Sequence, residues 1–365
     1  MTDIADLTAS EAARRIAAGS LTASALAEAC LARIAEREPE VRAFAWLDPA
    51  LVRRGAAALD KGGPPAPLKG IPFGVKDVLD TADMPSQYGS PIWAGHRPRS
   101  DSAAVAMARA AGALIIGKTI TTEFATRHPG ATTNPANKHH TPGGSSSGAG
   151  VAVADGMGFV GLGTDTGGSC RIPAALCGVV GWKPTARRVP ITGILPLSPS
   201  LDSAGPLART VADCALIDGF MAGEENPSPP KPVAMNTLTF GLPRGTYLTD
   251  GMDGHVAAAF DAALRKLSQA GARIIEFDLP ELTEIPQVTA AGGFPASEAL
   301  AWHRRLIAEK SDGYDPRILK RIRRGEGMSA ADYVDLVNAR ARIIASAAPR
   351  TAPFDALICP TCPLV

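Results

Sequence analysis

The sequence predicts an α/β protein with a largely buried β-sheet. Short apolar runs at residues 71–75 and 113–116 flank a helical pattern at 101–111, and this alternation is the signature of strands and helices packed in layers. Hydrophobic residues make up 45% of the chain and charged residues 20%, as in packed globular proteins. The length of 365 residues fits two domains or one large α/β domain.

Residues 1–60 are predicted to form N-terminal helices. Residues 8–11 fit a capping box, in which a threonine and a glutamate three positions later satisfy free amide groups. A second helix is expected over residues 23–37, because apolar side chains recur there on one face. A glycine- and proline-rich stretch at residues 62–67 then predicts a loop.

Residues 61–225 are expected to hold the functional site. Within them, residues 128–184 are crowded with Gly, Ser, Thr and Pro. Because a structureless stretch of that length is rare in a compact domain, we predict closely packed turns around a site. A proline-rich break at 226–232 precedes a second αβ portion, residues 233–365. Its predicted elements are a strand at 239–242, a helix at 256–269, a strand at 272–277, further helices, and a strand at 356–359.

Charge and composition exclude several classes of protein. Lys and Arg number 37 against 36 Asp and Glu, a net charge of +1, whereas a nucleic-acid-binding surface needs a basic excess or stripe. No apolar run reaches the roughly 18 residues that span a bilayer, and the acidic N-terminus has no signal-peptide features. Six cysteines in so long a chain do not indicate a disulfide scaffold. We therefore expect a cytoplasmic protein with no nucleic-acid or membrane partner.

Three motif matches are rejected because of their context. Residues 112–119 fit the P-loop pattern, but their centre predicts a strand where a phosphate-binding loop is required. Residues 144–148 fit the nucleophile elbow of α/β-hydrolases, yet a polar segment precedes them in place of a hydrophobic strand. Cys359 and Cys362 form a CxxC pair, which we interpret as two buried thiols beside a strand.

A glycine-rich turn and one lysine are the strongest candidates for chemistry. Residues 164–169 can aim several backbone N–H groups at one point, as an oxyanion requires, with Ser169 as nucleophile; a tight turn without chemistry fits equally well. A serine needs a base, and no histidine lies in a segment that places it beside Ser169. Lys76 follows an apolar strand and could serve if burial lowers its pKa. The alternatives are an ion pair with Asp77 or a surface lysine.

Five stretches of the chain resemble the amidase signature family in order and spacing. They are residues 70–77, 143–148, 163–169, 171–174 and 181–185, and the resemblance covers essentially the whole chain. It implies the amidase signature fold, a mixed twisted β-sheet core covered by helices on both faces, as a single domain over residues 1–365. Within the family, residues 80–102 and 117–148 are most similar to malonamidase-type enzymes.

The resemblance implies a Ser–cis-Ser–Lys triad. By motif position Ser169 is the nucleophile, Ser145 is the bridging serine after a cis peptide, and Lys76 is the base. The oxyanion would be held by backbone amides, those of Thr166, Gly167, Gly168 and Ser169. Returning the proton to the leaving nitrogen releases ammonia and leaves an acyl-enzyme that water hydrolyses. No metal and no organic cofactor are implied.

Arg171 and Ser147 are the candidate substrate-binding residues. Malonamidase-like enzymes hold the substrate carboxylate with an arginine three residues after the nucleophile, but that position is Ile172 here. Arg171 therefore either faces an anionic group or forms an ion pair that braces the glycine-rich turns.

The expected function is hydrolysis of a small carboxamide to a carboxylate and ammonia. The partner is a small-molecule amide, and a homodimer is one candidate assembly. The alternatives are the glutaminase component of a tRNA-dependent amidotransferase and a non-catalytic family member. Family members usually continue with another strand and helix layer after a strand like that at 356–359, so this chain is expected to lack the C-terminal part of the fold.

Overall fold

The computed structural model describes residues 4–62 and 66–365. The first three residues of the acidic N-terminus and residues 63–65 of the predicted loop lie outside the described residues. The chain divides into two compact units. Unit 1 comprises Met1–Pro230 and Arg305–Leu319, and unit 2 comprises Lys231–Arg304 and Lys320–Val365.

The described residues form twelve α-helices and nine strands. The helices are α1 (Ala9–Ala17), α2 (Ala23–Val41), α3 (Pro49–Lys61), α4 (Ala103–Ala110), α5 (Ser147–Ala154), α6 (Arg171–Cys177), α7 (Val211–Met221), α8 (Gly254–Gln269), α9 (Glu281–Val288), α10 (Gly293–Lys310), α11 (Pro316–Ile322) and α12 (Ala330–Thr351). The strands are β1 (Phe44–Leu47), β2 (Pro72–Lys76), β3 (Leu114–Thr119), β4 (Val160–Asp165), β5 (Val180–Gly181), β6 (Ser203–Ala208), β7 (Thr239–Pro243), β8 (Arg273–Phe277) and β9 (Ala356–Leu357).

Unit 1 is built on a six-stranded mixed sheet in the order β1-β3-β2-β4-β6-β5. Strand β2 pairs in parallel with both β3 and β4, whereas β1 is antiparallel to β3 and β6 is antiparallel to β4 and β5. All residues of β2, β3, β4 and β6 are buried. The predicted α/β class, with strands near 71–75 and 113–116 and a helix near 101–111, is confirmed.

The predicted helices of the N-terminal part are confirmed, with one difference in capping. Thr8 accepts a hydrogen bond from the Glu11 amide at its side-chain oxygen, 3.1 Å away. The Glu11 carboxylate does not complete the box, because it binds the guanidinium groups of Arg14 and Arg15. Helix α2 continues to Val41, four residues beyond the predicted end.

Residues 128–184 are more regular than predicted. They contain α5, β4, α6 and β5 rather than turns alone. Helix α5 has the sequence Ser-Gly-Ala-Gly-Val-Ala-Val-Ala, and its first seven residues are all buried. A helix that is buried on every side has no polar face and therefore no amphipathic period in its sequence, which is why the pattern concealed it.

The rejected motifs adopt non-functional geometry for the classes they imitate. Residues 114–119 of the P-loop match form strand β3, as predicted. The interpretation of Cys359 and Cys362 as buried thiols is wrong, because Cys359 is exposed and Cys362 only half-buried. Strand β9, which precedes them, is two residues long and exposed, so the chain beyond it lies at the surface.

Unit 2 contains a three-stranded parallel sheet in the order β8-β7-β9. The strands predicted at 239–242 and 272–277 and the helix at 256–269 are present as β7, β8 and α8. Within residues 4–62 and 66–365, none of the helices combines the length and the apolar character needed to cross a bilayer.

Candidate active site

Lys76 ends strand β2 in the middle of the unit 1 sheet and is completely buried, with 0% of its surface exposed. Its Nζ lies 2.7 Å from the Oγ of Ser145 and 2.7 Å from the Oγ1 of Thr164. Burial lowers the pKa of the amine from 10.5 to about 8, although the negative charges of Asp165 and Asp202 oppose this shift. The lysine is therefore held among hydroxyl groups and is easily deprotonated.

The alternative ion pair between Lys76 and Asp77 is not formed. The Oδ1 of Asp77 lies 3.6 Å from the Nζ of Lys118, a second buried lysine. Because side chains alternate along a strand, Asp77 leaves the end of β2 on the face opposite to Lys76.

Ser145 follows a cis peptide bond between Gly144 and Ser145, as the family resemblance implies. Its side chain is buried, and its carbonyl accepts a hydrogen bond from the Thr122 amide at 3.2 Å. The residues that follow begin helix α5, so a rigid element continues from the serine that contacts Lys76.

Ser169 lies against this segment through the backbone. The Ser146 amide donates a hydrogen bond to the Ser169 carbonyl at 3.2 Å. The Ser146 hydroxyl in turn donates to the carbonyl of Thr164, 3.2 Å away. The end of β2, the segment around the cis peptide and the turn at 164–169 thus converge, which brings the three predicted triad residues to one region of unit 1.

Asp165 organises the glycine-rich turn. Its buried carboxylate accepts hydrogen bonds from the amides of Gly168 at 2.7 Å and Cys170 at 3.0 Å, and from the Arg171 guanidinium at 2.8 and 3.0 Å. Burial alone would raise the pKa of this carboxyl group, but the hydrogen bonds and charge of Arg171 and the backbone amides hold it below the usual value. The turn is therefore built around a carboxylate that stays ionised.

This arrangement changes the predicted set of oxyanion-binding amides. The Gly168 amide points at Asp165 and is engaged there, so it does not match the expectation. Gly167 is the exposed residue of the turn. The Thr166 hydroxyl donates to Asp202 at 2.5 Å, and this fixes the start of the turn against the chain just before β6. Asp202 also accepts the amides of Leu197 and Ser198.

The two candidate substrate-binding side chains have structural partners. Arg171 forms the ion pair with Asp165, the second of the roles considered for it, and keeps 46% of its side chain exposed. Ser147 is buried, and its hydroxyl donates to the Ile120 carbonyl at 3.4 Å. Ile172, at the position where malonamidase-like enzymes place an arginine, packs its side chain against Gly168.

Several residues of the site escaped sequence reasoning. Asp165 carries a local signal, since an aspartate three residues before a glycine amide is typical of a turn closed by its side chain. Thr164, Thr122 and Asp202 carry no such signal, because each acts on a partner far away in the chain. In the described residues, His, Cys, Asp and Glu form no group of three or more that could hold a metal ion.

A cavity of about 540 Å³ opens in unit 1 beside these segments. Its lining includes Asp77 and Thr121, which adjoin Lys76 and Thr122 in the chain, and also Glu123, His128 and Tyr314. Such a volume suits a small organic molecule.

Comparisons with known proteins agree with this geometry. A family model described as Amidase matches residues 25–365. The 2-amino-5-chloromuconic acid deaminase of Comamonas testosteroni is 37% identical to this chain, covering 98% of it and 80% of that protein. The GatA-type component of the glutamyl-tRNA(Gln) amidotransferase of Chloroflexus aggregans is also 37% identical, covering 100% of this chain and 83% of that one. A crystal structure described as an amidase has a TM-score of 0.87 at 34% identity, covering 96% of this chain and 81% of its own.

Proposed function

Since the chain belongs to the amidase signature family, whose members hydrolyse carbon–nitrogen bonds of linear amides, we propose that it cleaves a small carboxamide into a carboxylate and ammonia. The reaction would pass through an acyl-enzyme on Ser169. The Comamonas relative supports a small substrate, because its name describes a deaminase of 2-amino-5-chloromuconic acid.

The observation that carries the proposal is the buried contact between Lys76 and Ser145. An amine that is fully buried, 2.7 Å from a serine hydroxyl and with a pKa near 8, is available in its neutral form at mildly alkaline pH. A neutral amine can accept a proton from a hydroxyl, which a protonated lysine cannot. No imidazole is required.

In the proposed reaction, Lys76 takes the proton of Ser145 while Ser145 takes that of Ser169. The Ser169 oxygen attacks the amide carbonyl, and the negative charge that develops on the carbonyl oxygen is held by backbone amides of Thr166, Gly167 and Ser169. The proton returns through Ser145 to the leaving nitrogen, and ammonia departs. Water then attacks the ester on Ser169 by the same relay and releases the carboxylate.

The test is ammonia release from a panel of simple aliphatic and aryl amides. We expect activity in the wild-type protein, loss of activity in Ser169→Ala, and wild-type activity in the control Ser20→Ala, which changes an exposed serine far along the chain from the site. An aryl phosphonate should add one mass equivalent to the wild type and none to Ser169→Ala. Absence of both ammonia release and adduct would favour the non-catalytic alternative.

A second candidate is the glutaminase component of a tRNA-dependent amidotransferase. The observation that favours it is the match to the Chloroflexus amidotransferase component over 100% of this chain. This function predicts hydrolysis of glutamine that depends on partner proteins, and a shift to a larger species on gel filtration when they are added. The proposed amidase acts without partners, and the same gel filtration reports whether it is a homodimer.

A further inference from the structure

A second buried lysine lies beside the site and takes no part in the proposed reaction. Lys118, in strand β3, is 0% exposed. Its Nζ donates to the Leu79 carbonyl at 2.5 Å and to the Ser86 hydroxyl at 2.6 Å, and lies 3.6 Å from the Asp77 carboxylate. A buried cation is costly unless its partners are well placed, so this group has a specific role in holding the segments that surround it.

Lys118 and Lys76 lie on opposite faces of the same sheet. In the parallel pairing of β2 and β3, Lys118 is level with Val75, and Lys76 is level with Thr119. Side chains that are level on neighbouring strands point to the same face, and successive ones alternate. Lys118 therefore shares the face of Val75 and Asp77, while Lys76 points to the face that carries Ser145.

Asp77 transmits the position of Lys118 to a tight turn. Its carboxylate oxygens both lie 3.1 Å from the Gln87 amide, and its carbonyl accepts the Tyr88 amide at 3.0 Å. Tyr88 has a φ of 56°, in the left-handed region that non-glycine residues rarely occupy. Such a conformation persists only where surrounding contacts enforce it, and Asp77 provides two of them.

This turn contacts the segment that holds Ser145. The Tyr88 carbonyl accepts the Phe124 amide at 2.9 Å, and the Ser90 hydroxyl donates to Glu123 at 2.7 Å. Thr122, just before them, donates its amide to the Ser145 carbonyl. A continuous series of hydrogen bonds thus runs from Lys118 to the serine that contacts Lys76.

We propose that Lys118 is a positioning residue for catalysis, which clamps the end of β2 and the turn at 86–90 so that Lys76 and Ser145 stay aligned and shielded from water. This inference rests on the proposed amidase function. Its second effect is electrostatic, because Lys118 supplies the positive charge that balances Asp77, the residue next to Lys76 in the chain.

The charges around the two lysines support this division of roles. Asp77, Asp80 and Asp101 act on Lys118, whose pKa burial lowers to about 8, whereas burial raises the pKa of Asp77 to about 6. Both members of the pair are thus charged between about pH 6 and pH 8. Asp165 and Asp202 are the carboxylates that act on Lys76 from its own face.

The experiment compares Lys118→Met with Asp213→Ala. Asp213 is a matched control in unit 1: it is buried, and it joins distant segments by accepting the amides of Ala9 and Ser10. Each variant is measured for kcat and KM per phosphonate-titrated site, for the pH at which kcat/KM is half-maximal, and for hydrogen–deuterium exchange of residues 84–96.

For Lys118→Met we expect a fall in kcat of about 10- to 100-fold with little change in KM. We also expect the midpoint of the acid limb to move upward from about 8, toward 10.5, as water reaches Lys76, and faster exchange in residues 84–96. Asp213→Ala should lower the melting temperature without any of these changes. An unchanged kcat, midpoint and exchange in Lys118→Met would overturn the proposal.

Two further readouts keep the outcomes distinct. If Lys118→Met does not fold, Ser86→Ala removes one Lys118 partner and should move the midpoint and the exchange in the same direction by smaller amounts; no movement there would also overturn the role of Lys118. If the wild type hydrolyses no amide, the proposed function fails, while the exchange of residues 84–96 still reports whether Lys118 holds the turn.

Discussion

The Nζ of Lys76 lies 2.7 Å from the Oγ of Ser145, at the end of a central strand where both side chains are buried. A second hydroxyl, that of Thr164, is equally close. Hydroxyl groups can accept hydrogen bonds from an ammonium group, but they do not neutralise its charge, so burial favours the uncharged amine. This relationship brings the titration of a lysine into a pH range where an ordinary lysine stays protonated.

The pH dependence of the proposed activity follows from this titration. Because the base must be neutral and its pKa is about 8, kcat/KM should rise about tenfold per pH unit below pH 8 and level off above it. Measuring kcat/KM on a simple amide from pH 6 to pH 10 checks this. A midpoint near 6.5, typical of histidine, or a flat profile would contradict the assignment of Lys76. Lys76→Met should lower kcat by about 10²- to 10⁴-fold across the range.

Thr164→Val removes the second hydroxyl next to Lys76 while keeping the shape of the side chain. We expect kcat to fall about tenfold, because one lost hydrogen bond of roughly 1.4 kcal/mol no longer orients the amine, and KM to stay unchanged. Thr132→Val is the matched control, since the buried Thr132 hydroxyl has no hydrogen-bond partner in the described structure. Equal activities of the two variants in steady-state assays would argue against an orienting role for Thr164.

Asp165→Asn should loosen the glycine-rich turn. The substitution removes the charge opposite Arg171 and replaces one acceptor oxygen by a donor, so we expect a loss of about 2–3 kcal/mol in the free energy of unfolding at pH 7. Asp60→Asn, at an exposed carboxylate that caps α2 through the amides of Ala23 and Ser24, should cost at most about 1 kcal/mol.

The acid side of the same experiment has a definite sign. The folded-state pKa of Asp165 lies below its usual value, so its stabilisation is present at neutral pH and is lost as the pH falls through that pKa. The difference between the wild type and Asp165→Asn in urea unfolding should therefore shrink as the pH approaches 3. A difference that grows toward acid pH would contradict this role.

Gly167 and Gly168 should respond differently to alanine. Gly168 has a φ of 120°, and an added Cβ would lie 2.7 Å from the Ile172 Cδ1, so Gly168→Ala should lower the free energy of unfolding by about 1–3 kcal/mol. At Gly167 the nearest atom to an added Cβ is 3.5 Å away, so Gly167→Ala should fold like the wild type. Its methyl group lies on the exposed turn, and we expect a lower kcat/KM. Thermal unfolding and amide assays separate the two effects.

Much of the site could be predicted from local pattern. The apolar run before Lys76 predicts a buried strand, and the paired glycines before Ser169 predict a turn. Both features depend on a few consecutive residues, and both are present. Helix α5 was not predictable in this way, because burial on every side removes the polar face by which helices are recognised.

The sequence by itself determined which residues end the strand and form the turn, and the five motif blocks that tie the chain to its family. Only the tertiary structure decided which partners those residues take: Asp77 pairs with Lys118 rather than Lys76, and the Gly168 amide binds Asp165 rather than an oxyanion. The first choice depends on the register between β2 and β3, which are about 40 residues apart and whose alignment sets the face of each side chain. Such pairings arise from long-range packing, which local sequence patterns do not encode.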